Sequence, residues 1–315
     1  MARDRHNIVV FTPVLHLTVT LEEGPGAGAA EIHLHPGGQG FWIARMLRHL
    51  GERPLLCGPA GGETGRVLKS LVPAFGIDLS AVATEASSPV YVYDRRSGDR
   101  EVMGETMMPR LTRHEIDEVY GKILEQAMQR VVCVIPGQTG DIFPASFYRR
   151  LGADLSTSDT KVVGDLHGTE LGALLDGGGV DILKVSDEEL MRDGMLLSTG
   201  DVDVLKAIGR LHQRGARAVV VSRGGQPALA RFGADMFEAT PPSLLPADFR
   251  GAGDSMTAGF AAAIARGLGP EDTLRLGCAA GAANVTRHGL GSASVELIDA
   301  LVDRIGIRPL APVNS

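Results

Sequence analysis

Apolar positions along the chain fall into two patterns. The first is the short unbroken run, seen in Asn7–Phe11, Pro54–Gly58, Val131–Ile135, Lys161–Asp165, Asp181–Lys184 and Ala218–Ser222. Runs of that length, rich in Val and Ile, predict strands covered on both faces. Between them apolar residues recur at helical spacing, over Phe41–Leu50, Thr64–Phe75, Arg113–Arg130, Pro144–Leu151 and Val202–Arg214. Gly51 and Gly215 close two of these helices, where glycine suits a left-handed cap. Strands alternating with helices at this spacing predict an α/β core with a mostly parallel sheet and helices on both faces. The second pattern is period-two alternation, in Val14–Glu22, Glu31–His35, Val90–Asp94 and Arg100–Met103. It predicts strands with one covered and one wet face. We read these as a small antiparallel sheet, residues 13–35 and 87–105, inserted twice into a core made of 1–12, 36–86 and 106–315. Such an appendage can serve as a lid, a subunit contact, or both.

Composition narrows function more than fold. Glycine makes up 41 of 315 residues, nearly double the usual ~7%, which fits many tight turns and close backbone approach to a ligand. A net charge of −7 argues against a general nucleic-acid binder. The three cysteines, Cys57, Cys133 and Cys278, are far apart and form no C-x-x-C, so neither a redox pair nor a zinc ribbon is indicated. The first residues carry no signal-peptide apolar region, and no stretch approaches the ~18–20 apolar residues of a membrane span. The expectation is a cytoplasmic protein without membrane partners. His33 and His35 share one strand face and could grip a metal, but no third ligand is evident.

Candidate chemistry concentrates at Phe249-Arg250-Gly251-Ala252-Gly253-Asp254-Ser255, followed by a small-residue helix over Met256–Arg266. Three small residues at a loop-to-helix junction leave backbone amides unshielded at the positive end of the helix dipole, an anion pocket suited to a phosphoryl group. Asp254 stands in the first turn beside it. A carboxylate there can take the proton from an attacking hydroxyl, and the helix dipole is expected to keep it ionised at neutral pH. An acid in the first turn also stabilises a helix on its own account, so the residues alone leave both readings open.

Gly251-Ala252-Gly253-Asp254 with its Ala/Gly-rich helix resembles the C-terminal signature of the ribokinase-like carbohydrate kinases, the PfkB family. Pro36-Gly37-Gly38-Gln39-Gly40 with the following helix is similar to the family's Gly-Gly motif, and Gly58–Gly65 to its next strand and turn. The segments Val163–Gly168, Ile182–Leu190 and Val221–Leu229 follow the order and spacing of its phosphosugar branch, the 1-phosphofructokinase and tagatose-6-phosphate kinase group. The resemblance covers nearly the whole chain. It implies a ribokinase-like three-layer α/β/α fold with a small β lid. It also implies an ATP- and Mg²⁺-dependent kinase that phosphorylates a hydroxyl of a sugar or sugar-like acceptor. Asp254 would be the base, and Gly251, Ala252 and Gly253 the anion hole. Glu189 would organise Mg²⁺ through its waters, and Lys184, Ser222, Gly224, Arg250 and Asn284 would bind the nucleotide. His16, Gly37, Gly38, Gln39 and Trp42 fall on the acceptor side, and a homodimer through the lid strands is expected.

The chain also departs from the family pattern. His16 stands where the phosphosugar branch has Asp, Gln39 where it has Lys, Trp42 where it has Asn, Ser88 where it has Arg, and Ser186 where the family has Asn. Two missing cations argue against a phosphorylated acceptor. The accumulated changes favour a second hypothesis, a catalytically weak or inactive nucleotide- or metabolite-binding protein on the same fold. A third, an NAD-dependent dehydrogenase, has only the glycine-rich α/β pattern behind it, since the glycines of 24–28 open no helix.

Overall fold

A computed structural model describes residues 7–26, 29–245, 247–287 and 289–311. The amino-terminal residues read for a targeting signal, and part of the 24–28 glycine cluster, lie outside these. The chain begins with β1 (Ile8–Phe11), leaves the core for β2 (His16–Glu23) and β3 (Ala30–Gly37), then returns through α1 (Gln39–His49), β4 (Pro54–Pro59), α2 (Gly62–Ala74) and β5 (Asp78–Val82). A second excursion supplies β6 (Val90–Asp94) and β7 (Glu101–Glu105). There follow α3 (Arg113–Ala127), β8 (Val132–Pro136), α4 (Ala145–Ser156), β9 (Lys161–Asp165), α5 (Gly168–Gly177), β10 (Val180–Ser186) and α6 (Asp187–Arg192). Next come α7 (Asp201–Gln213), β11 (Ala218–Arg223), β12 (Gln226–Phe232) and β13 (Asp235–Thr240). The chain closes with α8 (Ala252–Ala265), α9 (Pro270–Val285), α10 (Val295–Val302) and β14 (Gly306–Leu310).

The main sheet runs β14-β13-β12-β11-β10-β9-β8-β1-β4-β5, parallel from β11 to β5 and antiparallel at the β12–β14 end. Its inner strands are apolar on both faces because both faces are covered. Ile8 and Val10 pack into one layer with Phe41, Ile43 and Phe260, whereas Val9 and Phe11 pack into the other with Phe143, Phe147 and Leu151. This is the three-layer arrangement expected of the sequence.

The second sheet, β3-β2-β6-β7, corrects one expectation. β2 and β3 pair antiparallel, as do β6 and β7, but β2 and β6 pair parallel, from Leu17 opposite Val90 to Leu21 opposite Asp94. The sheet is therefore mixed. Its outer strands are largely uncovered within one chain: Ile32 and Leu34 on β3 are 65% and 47% exposed, Val102 and Met103 on β7 58% and 59%, while β3 is buried at Pro36 and Gly37. No helix among the described residues is long and apolar enough to cross a membrane.

Candidate active site

In open α/β sheets, ligands bind beyond the carboxyl ends of the strands where the strand order reverses. Here the order reverses at β1, which has β4 on one side and β8 on the other. A cavity of about 460 Å³ opens there, lined by Pro13 and Val14 after β1, Gly137 and Gln138 after β8, and Asp165 at the end of β9. His16, Gly38, Gln39, Trp42, Glu189 and Asp254 also line it. Residues from widely separated stretches of sequence thus meet in one place.

Asp254 enters on the first turn of α8. Gly251 caps that helix with φ 75°, a left-handed conformation in which a side chain would be strained. Gly253 is required for a different reason: a Cβ there would come within 2.6 Å of Lys184 Nζ. Lys184 lies buried beneath the turn, on β10, and donates to Asp165 Oδ1 at 3.0 Å, while the Thr257 hydroxyl donates to Asp165 Oδ2 at 2.7 Å. A buried ammonium without a partner would be very costly. Although burial disfavours its charge, Asp165, Glu189 and Asp254 together push the Lys184 pKa up. Lys184 is thus a buried cation under the anion-hole turn, bound to a carboxylate, and does not stand on the surface.

The charge state of Asp254 differs from the expectation. Burial, then the neighbouring Asp165 and Glu189 carboxylates, push its carboxyl up to about 7, against the opposing pull of Lys184 and a hydrogen bond with Gln39. A rise from 3.8 to about 7 corresponds to roughly 4 kcal/mol, whereas a helix terminus supplies ~0.3–1 kcal/mol at an exposed site. Desolvation and like charge win, and near pH 7 the free site holds a mixture of protonated and ionised Asp254.

Among the residues expected to contact nucleotide, several have other partners. Glu189 closes a capping box with Ser186: its Oε2 accepts from the Ser186 amide and hydroxyl, both at 2.8 Å, and the Glu189 amide donates to Ser186 Oγ at 3.2 Å. Ser in place of Asn therefore ties the acid to the start of α6, while Glu189 still lines the cavity. Burial alone would raise its pKa, but Lys184 and the Ser186 bonds hold it down. Ser222 pairs in register with Ser186 at the same edge of the sheet, and Gly224 turns the chain into β12 with φ 58°. Arg250, expected on a nucleotide phosphate, forks instead onto Asp248, with Nη2 2.6 Å from Oδ2. Asn284, expected beside the adenine, is buried: its Nδ2 donates to the Arg250 carbonyl at 2.8 Å and its Oδ1 accepts from the Ser292 amide at 3.4 Å. It fastens the loop before α8 to the one after α9.

On the acceptor side, Gly37 passes directly under the His16 ring, so close that a Cβ would meet Nε2 at 2.2 Å, and Gly38 caps α1. The His16 ring lies 4.3 Å from Tyr91 and 5.9 Å from Trp42, centroid to centroid. Burial, with Arg100 adding to it, pushes His16 down to about 4, so it is neutral at pH 7. Gln39 reaches Asp254 and the Asp165 carbonyl, at 3.4 Å from the latter. Among the cavity residues that escaped the reading of the sequence as a site are Glu105, Gln138, Thr139, Asp165 and His167. Gln138 organises its own loop, accepting from the Ile142 and Phe143 amides and donating to the Phe143 carbonyl. Asp165 carried a signal in the sequence. Lys184 sits inside an apolar run and demands a buried acid, which the neighbouring strand supplies.

Comparison with known proteins agrees with this geometry. The family model "pfkB family carbohydrate kinase" matches residues 167–297. The ATP-dependent 6-phosphofructokinase isozyme 2 of Mycobacterium tuberculosis H37Rv is 30% identical over 259 residues, covering 81% of this chain and 75% of that one. The chain belongs to the pfkB family of carbohydrate kinases. It is accordingly a phosphotransferase with an alcohol group as acceptor. The 1-phosphofructokinase of Bacillus subtilis is 26% identical over 268 residues, 82% of this chain and 84% of that one. Phosphofructokinase-2 of Escherichia coli, solved in complex with fructose-6-phosphate and also in a tetrameric inhibited form, superposes with a TM-score of 0.80 in each case. The identity is 24%, with 95% of this chain and 99% of that one covered.

Proposed function

We propose that this kinase transfers the γ-phosphoryl group of ATP to a hydroxyl of a sugar or sugar-like acceptor bound in the 460 Å³ cavity, with Asp254 as the base. The observation that carries the reading is the position of Asp254: it faces the cavity from the first turn of a helix that opens on Gly251, Ala252 and Gly253 with no side-chain cap, the Ala252 amide making only a long bond to the Phe249 carbonyl at 3.4 Å. As the acceptor oxygen forms its bond to phosphorus, its proton passes to Asp254 and the bridging bond to the leaving diphosphate breaks, releasing ADP. The amides of this turn, with Lys184 behind them, would hold negative charge on the transferring group. Mg²⁺ would enter with the nucleotide phosphates, its waters toward Glu189, and would supply charge neutralisation. Lys184, Ser222 and Gly224 lie at or behind the sheet edge that would receive the nucleotide; Arg250 and Asn284 support that edge through Asp248 and the 292 loop.

The second sheet, residues 13–35 and 87–105, is read as a lid because Tyr91 and Glu105 extend from it to the cavity. Its uncovered Ile32, Leu34, Val102 and Met103 suit a second copy of the chain, since an exposed sheet with open edges tends to be covered. A cytoplasmic location fits the reduced, buried cysteines. Replacing Asp254 by Asn tests the central claim. Acceptor-dependent ADP release should fall while ATP binding by calorimetry persists; a variant that turns over at the wild-type rate removes Asp254 from the chemistry. The binding-protein alternative instead expects nucleotide binding by the wild-type chain with no acceptor-dependent ADP release.

A further inference from the structure

The charges that face the cavity are of one sign. Glu105, Asp165, Glu189 and Asp254 line it, and among its described lining residues there is no lysine or arginine. Nearby cations stand outside that lining. Lys184 is buried against Asp165, Arg250 is half-exposed and forked by Asp248, and Arg100, near enough to act on His16, lies over the Tyr93 ring, 3.5 Å from its centroid. The two histidines do not fill the gap: His16 is buried and neutral, and His167 has Asp193 at 3.5 Å. Gln39 uses its amide on Asp254 and on the Asp165 backbone. A phosphate desolvated here would meet carboxylates where it needs guanidinium or ammonium groups.

What the cavity offers is of another kind. His16, Tyr91 and Trp42 present rings to one another at 4.3 Å and 5.9 Å, forming an aromatic wall. Glu105 stands opposite Tyr91 in the β6–β7 register, with one oxygen accepting from the Tyr93 hydroxyl at 3.1 Å. Carboxylates in such settings accept hydrogen bonds from hydroxyl groups, and aromatic faces cover the C–H side of a sugar ring. We propose that the acceptor is an uncharged polyhydroxylated ring compound. It would lie against the His16–Tyr91–Trp42 wall with one hydroxyl at Asp254, while Glu105 accepts from other hydroxyls and repels the phosphorylated form of the same compound. This rests on the kinase reading and departs from the phosphosugar names carried by the relatives.

The test is acceptor-dependent ADP release with matched pairs: fructose against fructose 6-phosphate and fructose 1-phosphate, ribose against ribose 5-phosphate, adenosine against AMP. The pairs also separate a free sugar from a nucleoside as the source of the ring. The neutral member of at least one pair should exceed its phosphorylated partner by 100-fold or more in kcat/KM. Glu105→Gln should narrow that ratio at least tenfold, chiefly through the KM of the phosphorylated member, an effect that loss of a merely structural side chain would not produce. Glu105→Ala, which removes the charge and the hydrogen-bond acceptor together, should narrow the ratio as well and also raise the KM of the neutral member. Turnover confined to phosphorylated sugars overturns this inference and leaves the kinase reading standing. A ratio unmoved by both Glu105 substitutions removes Glu105 from the selectivity. Turnover with no acceptor of either kind overturns the kinase reading and this inference with it.

Discussion

The two sides of the cavity are built on different principles. The Asp254 side is a buried charge lattice: Lys184, Asp165 and Thr257 are locked together under a helix turn, and Asn284 pins the loop that precedes it. The acceptor side is a wall of rings and loops partly supplied by a separate sheet, with His16, Tyr91 and Glu105 all on its strands. On the proposed mechanism the first side performs one operation that any phosphoryl transfer needs, so its geometry should tolerate little change. On the same reading the second would decide which alcohol arrives. The departures on the acceptor side are not all peripheral: His16 and Ser88 are buried, Trp42 packs against the core, and Gln39 touches Asp254.

Substitutions can break that comparison directly. The largest effect is expected of Asp254→Asn, a loss of about 10²–10⁴-fold in kcat, the range for removal of a general base, measured as acceptor-dependent ADP release. Next comes Lys184→Met, which strands the buried Asp165 carboxylate and should cost about 3–5 kcal/mol of stability in chemical denaturation. Trp42→Ala should cost less stability than this, since that half-buried ring packs against the core on one side and lines the cavity on the other; an equal loss would contradict the division drawn here.

Protonation sharpens the contrast further. Because Asp254 must be ionised to accept a proton and its carboxyl sits at about 7, kcat/KM should fall as pH drops below about 7, with one proton taken up. His16, pushed down to about 4, should leave no inflection between pH 6 and 8. The same Asp254 shift has a thermodynamic face. Its pKa is raised in the folded state, so the stability it contributes is present below about pH 4 and lost as pH rises toward 7. Asp254→Asn should therefore match the wild type at pH 4 and be the more stable protein at pH 8, by up to about 4 kcal/mol. Thermal melts at the two pH values check this. The smallest effect is expected of Asn284→Ala, about 1–3 kcal/mol, chiefly from the buried Ser292 amide left unpaired, with nucleotide affinity changed only through the displaced loop.

Much of the fold was legible because burial on both faces writes itself as unbroken apolar runs. Val132–Pro136 and Ala218–Arg223 lie within a residue of the predicted strands. Strand direction was not legible in the second sheet. Alternation reports which residues share a face and is silent on whether a neighbour runs up or down, so the parallel β2–β6 pairing went unseen. In the site, the Gly251–Asp254 turn announced itself by composition, while Glu105 and Gln138, single polar residues in a strand and a loop, carry no spacing by which to find them. The ionisation of Asp254 was misjudged for a related reason. The dipole of α8 is read from local sequence, but the carboxylates of Asp165 and Glu189 come from distant segments.

The parallel seam between β2 and β6 has a kinetic side. It joins residues 17–21 to 90–94, closing a loop of roughly 70 residues whose entropy must be lost before the seam gains anything. Both segments of the seam are synthesised before β9, β10 and α8, which carry Asp165, Lys184 and Asp254, so the two sides of the cavity become complete at different times, the ring wall's strands being available first.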